Sequence, residues 1–189
     1  MSLRNILKGT GVAVVTPFAK NGAVDYDALG KLLDYIIGNN VEYIVTLGTT
    51  GETPVLTTKE KIDIIQATYA HVNSRVPVVV GIGGNNTHEV LEQIKVLPLK
   101  DATAILSASP YYNKPSQEGI FQHYRAIAEK SPKPVLLYNV PSRTGRNMEA
   151  ATTLRLATEV HNIAGIKEAS GDMVQCMAIL KDAPPQFLV

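Results

Sequence analysis

The amino-acid sequence predicts an α/β fold, a TIM (β/α)₈ barrel represented here by its first six to seven βα units. Short runs rich in Val, Ile and Leu alternate with longer amphipathic stretches along the whole chain. Strand, helix and strand recur about every 30 residues, which is typical of βαβ units in a parallel sheet. A doubly wound sheet fits less well, because the nearest match to its GxGxxG turn, "GIGGNN" from Gly81, follows the third run and lacks the last glycine.

Seven apolar runs are the strand candidates. In order they are "GVAVVT" from Gly11, "EYIVTLG" from Glu42, "VPVVVGIG" from Val76, "ATAILSASP" from Ala102, "PVLLYNVP" from Pro134, "NIAGIKEAS" from Asn162 and the terminal "FLV". A closed TIM barrel has eight strands. We therefore expect residues 1–189 to form a single barrel domain that is C-terminally incomplete.

The segments between these runs predict helices. Stretches such as "DYDALGKLLDYIIGNN", "TTKEKIDIIQATYAHVNS" and "SQEGIFQHYRAIAEKS" carry apolar residues at i, i+3 and i+4. Residue types that favour helix N-caps lie at or near the start of five predicted helices. They are Asp25, Thr57, Thr87, Ser116 and Asn147.

Composition and charge exclude several classes of protein. Hydrophobic residues make up 45% of the 189 residues and charged residues 19%, as in a globular protein with a sizeable core. The net charge of +1 favours neither a nucleic acid nor a membrane surface as partner. No apolar run reaches the roughly 20 residues of a membrane span. The first residues lack the pattern of a signal peptide, so we expect a cytoplasmic protein.

Cysteine and histidine usage points to neither disulfides nor a metal. The single cysteine, Cys176, has no partner within the chain, which is consistent with a reducing compartment. The four histidines are widely spaced and form no HxH or HExxH pattern. We expect no metal site.

Polar residues that follow the apolar runs are the candidates for chemistry. In parallel α/β folds, reactive groups collect at the carboxyl ends of the strands. This rule selects Thr16, "GTTGE" from Gly48, "PYYN" from Pro110, "YNVPSRTG" from Tyr138, and Lys167. We expect these segments to form one site.

Lys167 ends an apolar run, where a lysine is unusual. Strand alternation predicts that Ile163, Gly165 and Lys167 share one face, with Gly165 leaving room for the lysine stem and a ligand. Glu168, on the other face, is expected to pack or pair outside the barrel. On the preceding strand Tyr138 occupies the matching position, so we expect its phenol and the Lys167 amine to meet as a proton-transfer pair.

These residue types suit amine chemistry on an oxoacid. Burial and a nearby cation such as Arg143 are expected to lower the pKa of Lys167 from the usual value near 10.4, leaving a nucleophilic amine that forms a Schiff base with a carbonyl. The planar fork of Arg143 suits a carboxylate. In "GTTGE", backbone N–H groups and two hydroxyls suit a second, small carboxylate.

Each feature also has an ordinary structural interpretation. A lone strand-end lysine more often snorkels to solvent. By themselves, "GTTGE" is equally a turn before a helix, "PSRTG" an exposed turn, and Tyr111 and Tyr112 packing aromatics. The functional hypothesis depends on their convergence at one end of the fold.

Taken together, "GTTGE", "PYYNKPSQEG", "YNVPSRTG" and "GIKEASGD", in this order and at these intervals, resemble the dihydrodipicolinate synthase family of pyruvate-dependent class I aldolases. The resemblance runs from about Gly9 to the end of the chain. It implies that the barrel continues beyond Val189 with its last strands and a C-terminal helical region, both absent from this chain.

The resemblance also implies roles for individual residues. Lys167 is the lysine that forms a Schiff base with pyruvate, and Tyr138 is the general acid and base. A proton relay leads from Tyr138 through Thr49 to Tyr112 of a neighbouring subunit. Thr49 and Thr50 hold the pyruvate carboxylate, and Arg143 receives the carboxylate of L-aspartate semialdehyde.

By the same resemblance the enzyme needs no cofactor, acts in the diaminopimelate route to lysine, and is a homotetramer, a dimer of dimers. Asn85, Glu89 and Tyr111 match positions of the family's allosteric lysine pocket. Thr58 and Lys61 stand where strongly inhibited members carry histidines, so we expect weak inhibition by lysine. The alternatives are another pyruvate-dependent aldolase, such as one similar to N-acetylneuraminate lyase or a hydroxy-oxoacid aldolase, and a non-catalytic barrel.

Overall fold

Strands alternate with helices throughout the computed structural model, which describes residues 3–189. The first six predicted runs each contain one strand. The strands are β1 (Gly11–Ala13), β2 (Tyr43–Thr46), β3 (Val78–Gly81), β4 (Ala104–Ala108), β5 (Val135–Asn139) and β6 (Ile163–Glu168). Every residue of β3 and β5 is buried, as expected for parallel strands covered on both faces.

Helices occupy the amphipathic segments between the strands. Those in the described part of the chain are α1 (Leu3–Ile6), α2 (Tyr26–Gly38), α3 (Thr58–Val72), α4 (Thr87–Val96), α5 (Gln117–Lys130), α6 (Pro141–Thr144), α7 (Ala150–Glu159) and α8 (Met173–Asp182). The order of strands and helices is that of successive βα units.

Three of the five predicted N-caps are confirmed. The side chains of Asp25, Thr57 and Ser116 each accept a hydrogen bond from a backbone N–H in the first turn of α2, α3 and α5. Thr87 and Asn147 lie near helix starts, as predicted, but neither is the N-cap itself. Thr87 is the first residue of α4, and Asn147 precedes α7 by three residues, with its amide in a tertiary hydrogen bond to Gln175.

The chain forms two compact units. The first unit comprises Asn5–Gly81 and Leu97–Ala104, and it contains β1, β2 and β3. Within it β1 pairs in parallel with β2, and β2 pairs in parallel with β3. Its core includes the fully buried side chains of Leu33, Ile65 and Val79.

The second unit comprises Ile82–Val96, Ile105–Val189 and the described residues 3–4. Within it β4 pairs in parallel with β5, and β5 with β6. Tyr124 of α5 is fully buried beneath this sheet segment, and its hydroxyl donates a hydrogen bond of 2.8 Å to the carbonyl of Ser107. Burial raises the pKa of this phenol.

A β-bulge interrupts β6 near its start. Val135 of β5 pairs with Ile163, but the next residue, Leu136, pairs with Gly165, so Ala164 is an extra residue on β6. The predicted alternation from Ile163 to Gly165 was therefore wrong, because a bulge places two residues opposite one. From Gly165 to Glu168 the two strands stay in register.

The terminal "FLV" run pairs with β6 at one position. Leu188 and Gly165 form an isolated parallel bridge. The Ile166 N–H donates to the Leu188 carbonyl at 2.7 Å, and the Leu188 N–H donates to the Ala164 carbonyl at 3.0 Å. The seventh predicted strand is thus present only as this bridge within the described residues.

Candidate functional site

Tyr138 and Lys167 lie side by side at the carboxyl ends of β5 and β6. They are register partners across the two strands, and the Lys167 Nζ atom lies 4.6 Å from the centre of the Tyr138 ring. This spacing is that of a cation over an aromatic face. The predicted meeting of phenol and amine on neighbouring strands is confirmed as geometry.

The Lys167 side chain is exposed within residues 3–189, and the burial expected for it in the whole barrel stays a prediction. Gly165 and Ile166 before it are buried, but Lys167 is the next to last residue of β6, beyond that apolar layer. Its amine lies over the ring of Tyr138, which is 8% exposed.

Gly165 does not leave free space under the lysine, contrary to expectation. A Cβ atom built on Gly165 would lie 2.6 Å from the Leu188 carbonyl oxygen and 3.0 Å from Cδ2 of Leu136. Glycine is required because the terminal segment and β5 both approach the backbone closely. Gly165 therefore serves the packing of β6 and not the accommodation of a ligand.

Arg143 lies just after β5, on the short helix α6. The Arg143 N–H donates to the Val140 carbonyl at 2.9 Å, and Gly145 ends the helix with a positive φ of 72°. The Arg143 side chain is exposed and forms no ion pair with any residue in 3–189. Its guanidinium is thus available to an anionic ligand.

In the first unit, "GTTGE" forms a tight 3₁₀ turn over Thr49–Gly51 after β2. Two threonine hydroxyls anchor its backbone: Thr16 donates to the Gly51 carbonyl at 2.7 Å, and Thr53 donates to the Leu47 carbonyl at 2.6 Å. Both Thr49 and Thr50 are exposed on this anchored turn. The relay through Thr49 and the binding role of Thr50 stay predictions.

"PYYN", in the second unit, presents Tyr112 to solvent. Tyr112 is 88% exposed and has a φ of 71°, a conformation that is costly for an aromatic residue. Next to it, the Asn113 N–H donates to the Tyr111 carbonyl, and its side-chain amide donates to the Asn85 carbonyl at 3.4 Å. The loop therefore holds Tyr112 outward, while its base contacts the turn that contains Asn85.

Two other predicted residues of the lysine pocket lie near that turn. Glu89 is exposed on α4 and accepts a hydrogen bond of 3.0 Å from the Asn86 amide. Tyr111 is 38% exposed. Lys61, in the first unit, is half-buried on α3, and burial lowers its pKa. A lysine-binding role for Asn85, Glu89 and Tyr111 stays a prediction.

Sequence reasoning missed a network of hydrogen bonds behind the Tyr138–Lys167 pair. Glu168 was expected to pack or pair outside the barrel, and it does so through the amides of Asn139 and Gln175. Asn147, predicted as a helix cap, also belongs to this network. The one available signal was alternation, which places Asn139 and Glu168 on the face opposite Tyr138 and Lys167.

A cavity of about 560 Å³ in the first unit lies where α3 ends and β3 begins. The Tyr69 hydroxyl on its lining is buried without a hydrogen-bond partner among the described residues, and burial, aided by Asp101, raises its pKa. The cavity adjoins the amino end of β3. Because reactive groups of barrels collect at carboxyl ends, residues at the strand ends of each unit are better candidates for chemistry than this cavity.

Residues 3–189 contain neither a cluster of metal-ligating residues nor a membrane-spanning helix. No group of three or more His, Cys, Asp or Glu residues is arranged to hold a metal ion. No helix in this part of the chain combines the length and apolarity needed to cross a membrane.

Parallel strands that alternate with helices in this order are the βα units of an α/β barrel. The model of the dihydrodipicolinate synthetase family matches residues 6–189, and the chain belongs to this family. Solved structures agree: the dihydrodipicolinate synthase of Aquifex aeolicus superposes with a TM-score of 0.91 at 36% identity, over 97% of this chain and 62% of that one. The TIM-barrel class, with six βα units in this chain, is thereby confirmed.

Similar proteins include curated relatives and solved structures. The chain is 54% identical to the 4-hydroxy-tetrahydrodipicolinate synthase of Parabacteroides distasonis, over 97% of its own length and 62% of the relative's. A structure of the Acinetobacter baumannii dihydrodipicolinate synthase in complex with pyruvate is 43% identical, with a TM-score of 0.89 over 93% of this chain and 60% of that one. The chain thus spans about three fifths of the length of these proteins.

Proposed function

We propose that the whole protein is a 4-hydroxy-tetrahydrodipicolinate synthase, a lyase that condenses pyruvate with L-aspartate 4-semialdehyde. The observation that carries the proposal is the Tyr138–Lys167 pair, with the amine 4.6 Å from the ring centre at the carboxyl ends of adjacent strands. Membership of the family supports it, as do relatives of 54% identity that bear this name. So does the pyruvate complex of the A. baumannii protein.

Lys167 begins the reaction by attacking the carbonyl carbon of pyruvate. The carbinolamine loses its oxygen as water, giving an imine. Loss of a methyl proton converts the imine to an enamine, whose methylene carbon forms the new bond to the aldehyde carbon of the semialdehyde. The amino group of that substrate then attacks the imine carbon, closes the ring and displaces the Lys167 amine.

Tyr138 is the proton donor and acceptor for these steps, because its ring lies against the amine that reacts. Thr49 and Tyr112 continue the proton relay, with Tyr112 supplied by a neighbouring subunit. The exposed, strained position of Tyr112 suits a side chain that is covered only in an assembly. Thr50 with Thr49 binds the pyruvate carboxylate, and Arg143 binds that of the semialdehyde.

We propose the same assembly and regulation as the sequence predicts, a cytoplasmic homotetramer with weak sensitivity to lysine. Asn85, Glu89 and Tyr111 would contribute the lysine pocket. By the resemblance, Lys61 stands where strongly inhibited members carry a histidine, and a cation at that position would disfavour a cationic effector. Activity of the full-length protein should therefore persist in millimolar lysine, and inhibition at submillimolar lysine would contradict this part of the proposal.

Borohydride reduction tests the central step. Full-length protein incubated with pyruvate and sodium borohydride should carry a reduced pyruvate adduct on Lys167, located by mass spectrometry of peptides. Lys181→Ala, which removes an exposed lysine on α8, should label normally. An unlabelled Lys167 in the wild-type protein would favour the non-catalytic barrel.

The acceptor is identified separately. With pyruvate present, the protein should consume L-aspartate semialdehyde and leave N-acetylneuraminate unchanged. An Arg143→Ala variant should retain borohydride trapping of pyruvate but require a higher concentration of semialdehyde. Cleavage of the sugar acid would instead support another aldolase of the same class.

A further inference from the structure

Four polar side chains form a hydrogen-bonded cluster at the ends of β5 and β6, which we call the strand-end network: Asn139, Asn147, Glu168 and Gln175. The Asn139 amide donates to Oδ1 of Asn147 at 2.8 Å and to the Glu168 carboxylate at 3.0 and 3.1 Å. The Asn147 amide donates to Gln175 at 2.8 Å, and the Gln175 amide donates to Glu168 at 2.9 Å. The four side chains thus close a ring.

Glu168 is the hub of this network. Its carboxylate accepts hydrogen bonds from the side-chain amides of Asn139 and Gln175 and from the backbone N–H of Ser170, the last at 2.8 Å. No lysine or arginine in residues 3–189 forms an ion pair with it. A carboxylate held by several neutral donors is fixed in direction as well as in position.

Asn139 ties the end of β5 to the segments around it. It is fully buried, and its side-chain oxygen accepts from the Met148 N–H at 3.0 Å. Its backbone carbonyl accepts from the Ala169 N–H at 2.9 Å, just past the end of β6. Every polar group of its side chain therefore has a partner on another segment.

The network lies one residue from the reactive pair on each strand. Asn139 and Glu168 are register partners, and so are Tyr138 and Lys167 directly before them. The bulge near the start of β6 shifts its pairing with β5 by one residue. The pairing of Ile163 with Val135 therefore does not determine which residues are paired at the carboxyl ends of the two strands. The side-chain hydrogen bonds at these ends add to the backbone pairing from Gly165 to Glu168 in holding the two strands in register.

From this geometry we propose that Asn139 and Glu168 are positioning residues, which hold the ends of β5 and β6 in register and so set the distance between the Tyr138 phenol and the Lys167 amine. The proposal rests on the proposed function, since it assigns them a part in imine formation. A merely structural role would lower stability without changing the reactivity of Lys167.

A donor–acceptor exchange in the full-length protein separates these two roles. Asn139→Asp places a second carboxylate next to that of Glu168. Glu168→Gln replaces one of the two acceptor oxygens of Glu168 with an NH₂ donor. The double variant restores an amide–carboxylate pair with the two groups exchanged, because position 139 then carries the carboxylate and position 168 the amide. Asn162→Ala is the matched control, because the Asn162 amide makes three hydrogen bonds at the amino end of β6.

The readout is the rate of borohydride trapping of pyruvate, measured against pyruvate concentration. Each single variant should lower the maximal trapping rate by roughly 10- to 100-fold, as expected for a small misplacement of reacting groups, with half-saturation changed less than threefold. The double variant should recover at least a third of the wild-type rate. Asn162→Ala should lower the melting temperature and trap normally.

Thermal unfolding of every variant keeps the result interpretable. Single variants that are folded and trap pyruvate at the wild-type rate would refute the positioning role. It would also be refuted if the trapping rate of Asn162→Ala fell in proportion to its loss of stability. A double variant no faster than the singles would also refute it. Absence of trapping in the wild-type protein would instead refute the proposed function itself.

Discussion

On one face of the β5–β6 pair, Tyr138 and Lys167 meet as an aromatic ring and an amine, whereas on the other face Asn139 and Glu168 meet through hydrogen bonds. The first contact is a weakly directional attraction that leaves the Lys167 amine exposed. The second is directional and involves a fully buried amide. The same two strands thus carry a face free to react and a face that holds them in place.

This difference separates the exposed amine of Lys167, 4.6 Å from the centre of the Tyr138 ring, from the hydrogen bonds beside it. The stabilising interactions lie in the next residue of each strand, Asn139 and Glu168. Changes on the reactive face should therefore affect chemistry, and changes on the network face should affect both stability and chemistry.

The largest expected effect comes from removing the amine. Lys167→Ala should lower synthase activity by on the order of 10³-fold or more, because no other group of the pair can form an imine. Its free energy of unfolding should change by no more than about 0.5 kcal/mol, since the side chain is exposed. Steady-state kinetics and urea unfolding measure the two quantities. A destabilised variant would show that Lys167 is structural.

The second largest effect on activity is expected from removing only the hydroxyl of Tyr138. Tyr138→Phe keeps the ring against Lys167 but removes the proton-transfer group, so turnover should fall by about 10²- to 10⁴-fold. Circular dichroism and the melting temperature should be close to those of the wild type, in contrast to Tyr138→Ala, which also leaves a cavity. Full activity of Tyr138→Phe would mean that another group transfers the proton.

A buried histidine elsewhere in the second unit is expected to make stability depend on pH. Burial lowers the pKa of His123 to about 4, and its Nδ1 atom lies 2.8 Å from the Thr87 hydroxyl. As the pH falls, the His123 imidazole is protonated in the unfolded chain, with a pKa near 6.5, before it is protonated in the folded protein. The free energy of unfolding should therefore be highest above about pH 6.5 and fall by about 3 kcal/mol as the pH approaches 4.

His123→Gln should flatten this dependence in denaturant titrations at pH 7, 6, 5 and 4.5. If the dependence persists unchanged in His123→Gln, the buried imidazole does not account for the loss of stability in acid.

The smallest effect is expected at the edge of the network. Gln175→Ala removes hydrogen bonds to Asn147 and Glu168 but leaves Asn139 in contact with Glu168, so the free energy of unfolding should fall by about 1 kcal/mol. Borohydride trapping should slow only a few-fold. Gln122→Ala, which removes an exposed hydrogen bond to Glu118 on α5, is the control and should change neither quantity.

Much of the fold follows from local pattern. Apolar runs at regular spacing predicted all six strands, because a parallel strand covered on both faces has to be apolar along its length. The caps at Asp25, Thr57 and Ser116 were predictable for the same kind of reason, since a side-chain oxygen next to a helix start finds its donor within the same turn.

By itself, the sequence determined the order of the βα units, the family, and the adjacency of Tyr138 and Lys167, since these depend on periodicity and on neighbouring strands being in contact. Only the tertiary structure decided the bulge at Ala164, the packing of Leu188 on Gly165, the exposure of Lys167, and the use of Asn147 and Glu168 in one network. Those features arise where segments distant in the chain come within hydrogen-bonding or van der Waals distance, and no local period encodes which segments will meet.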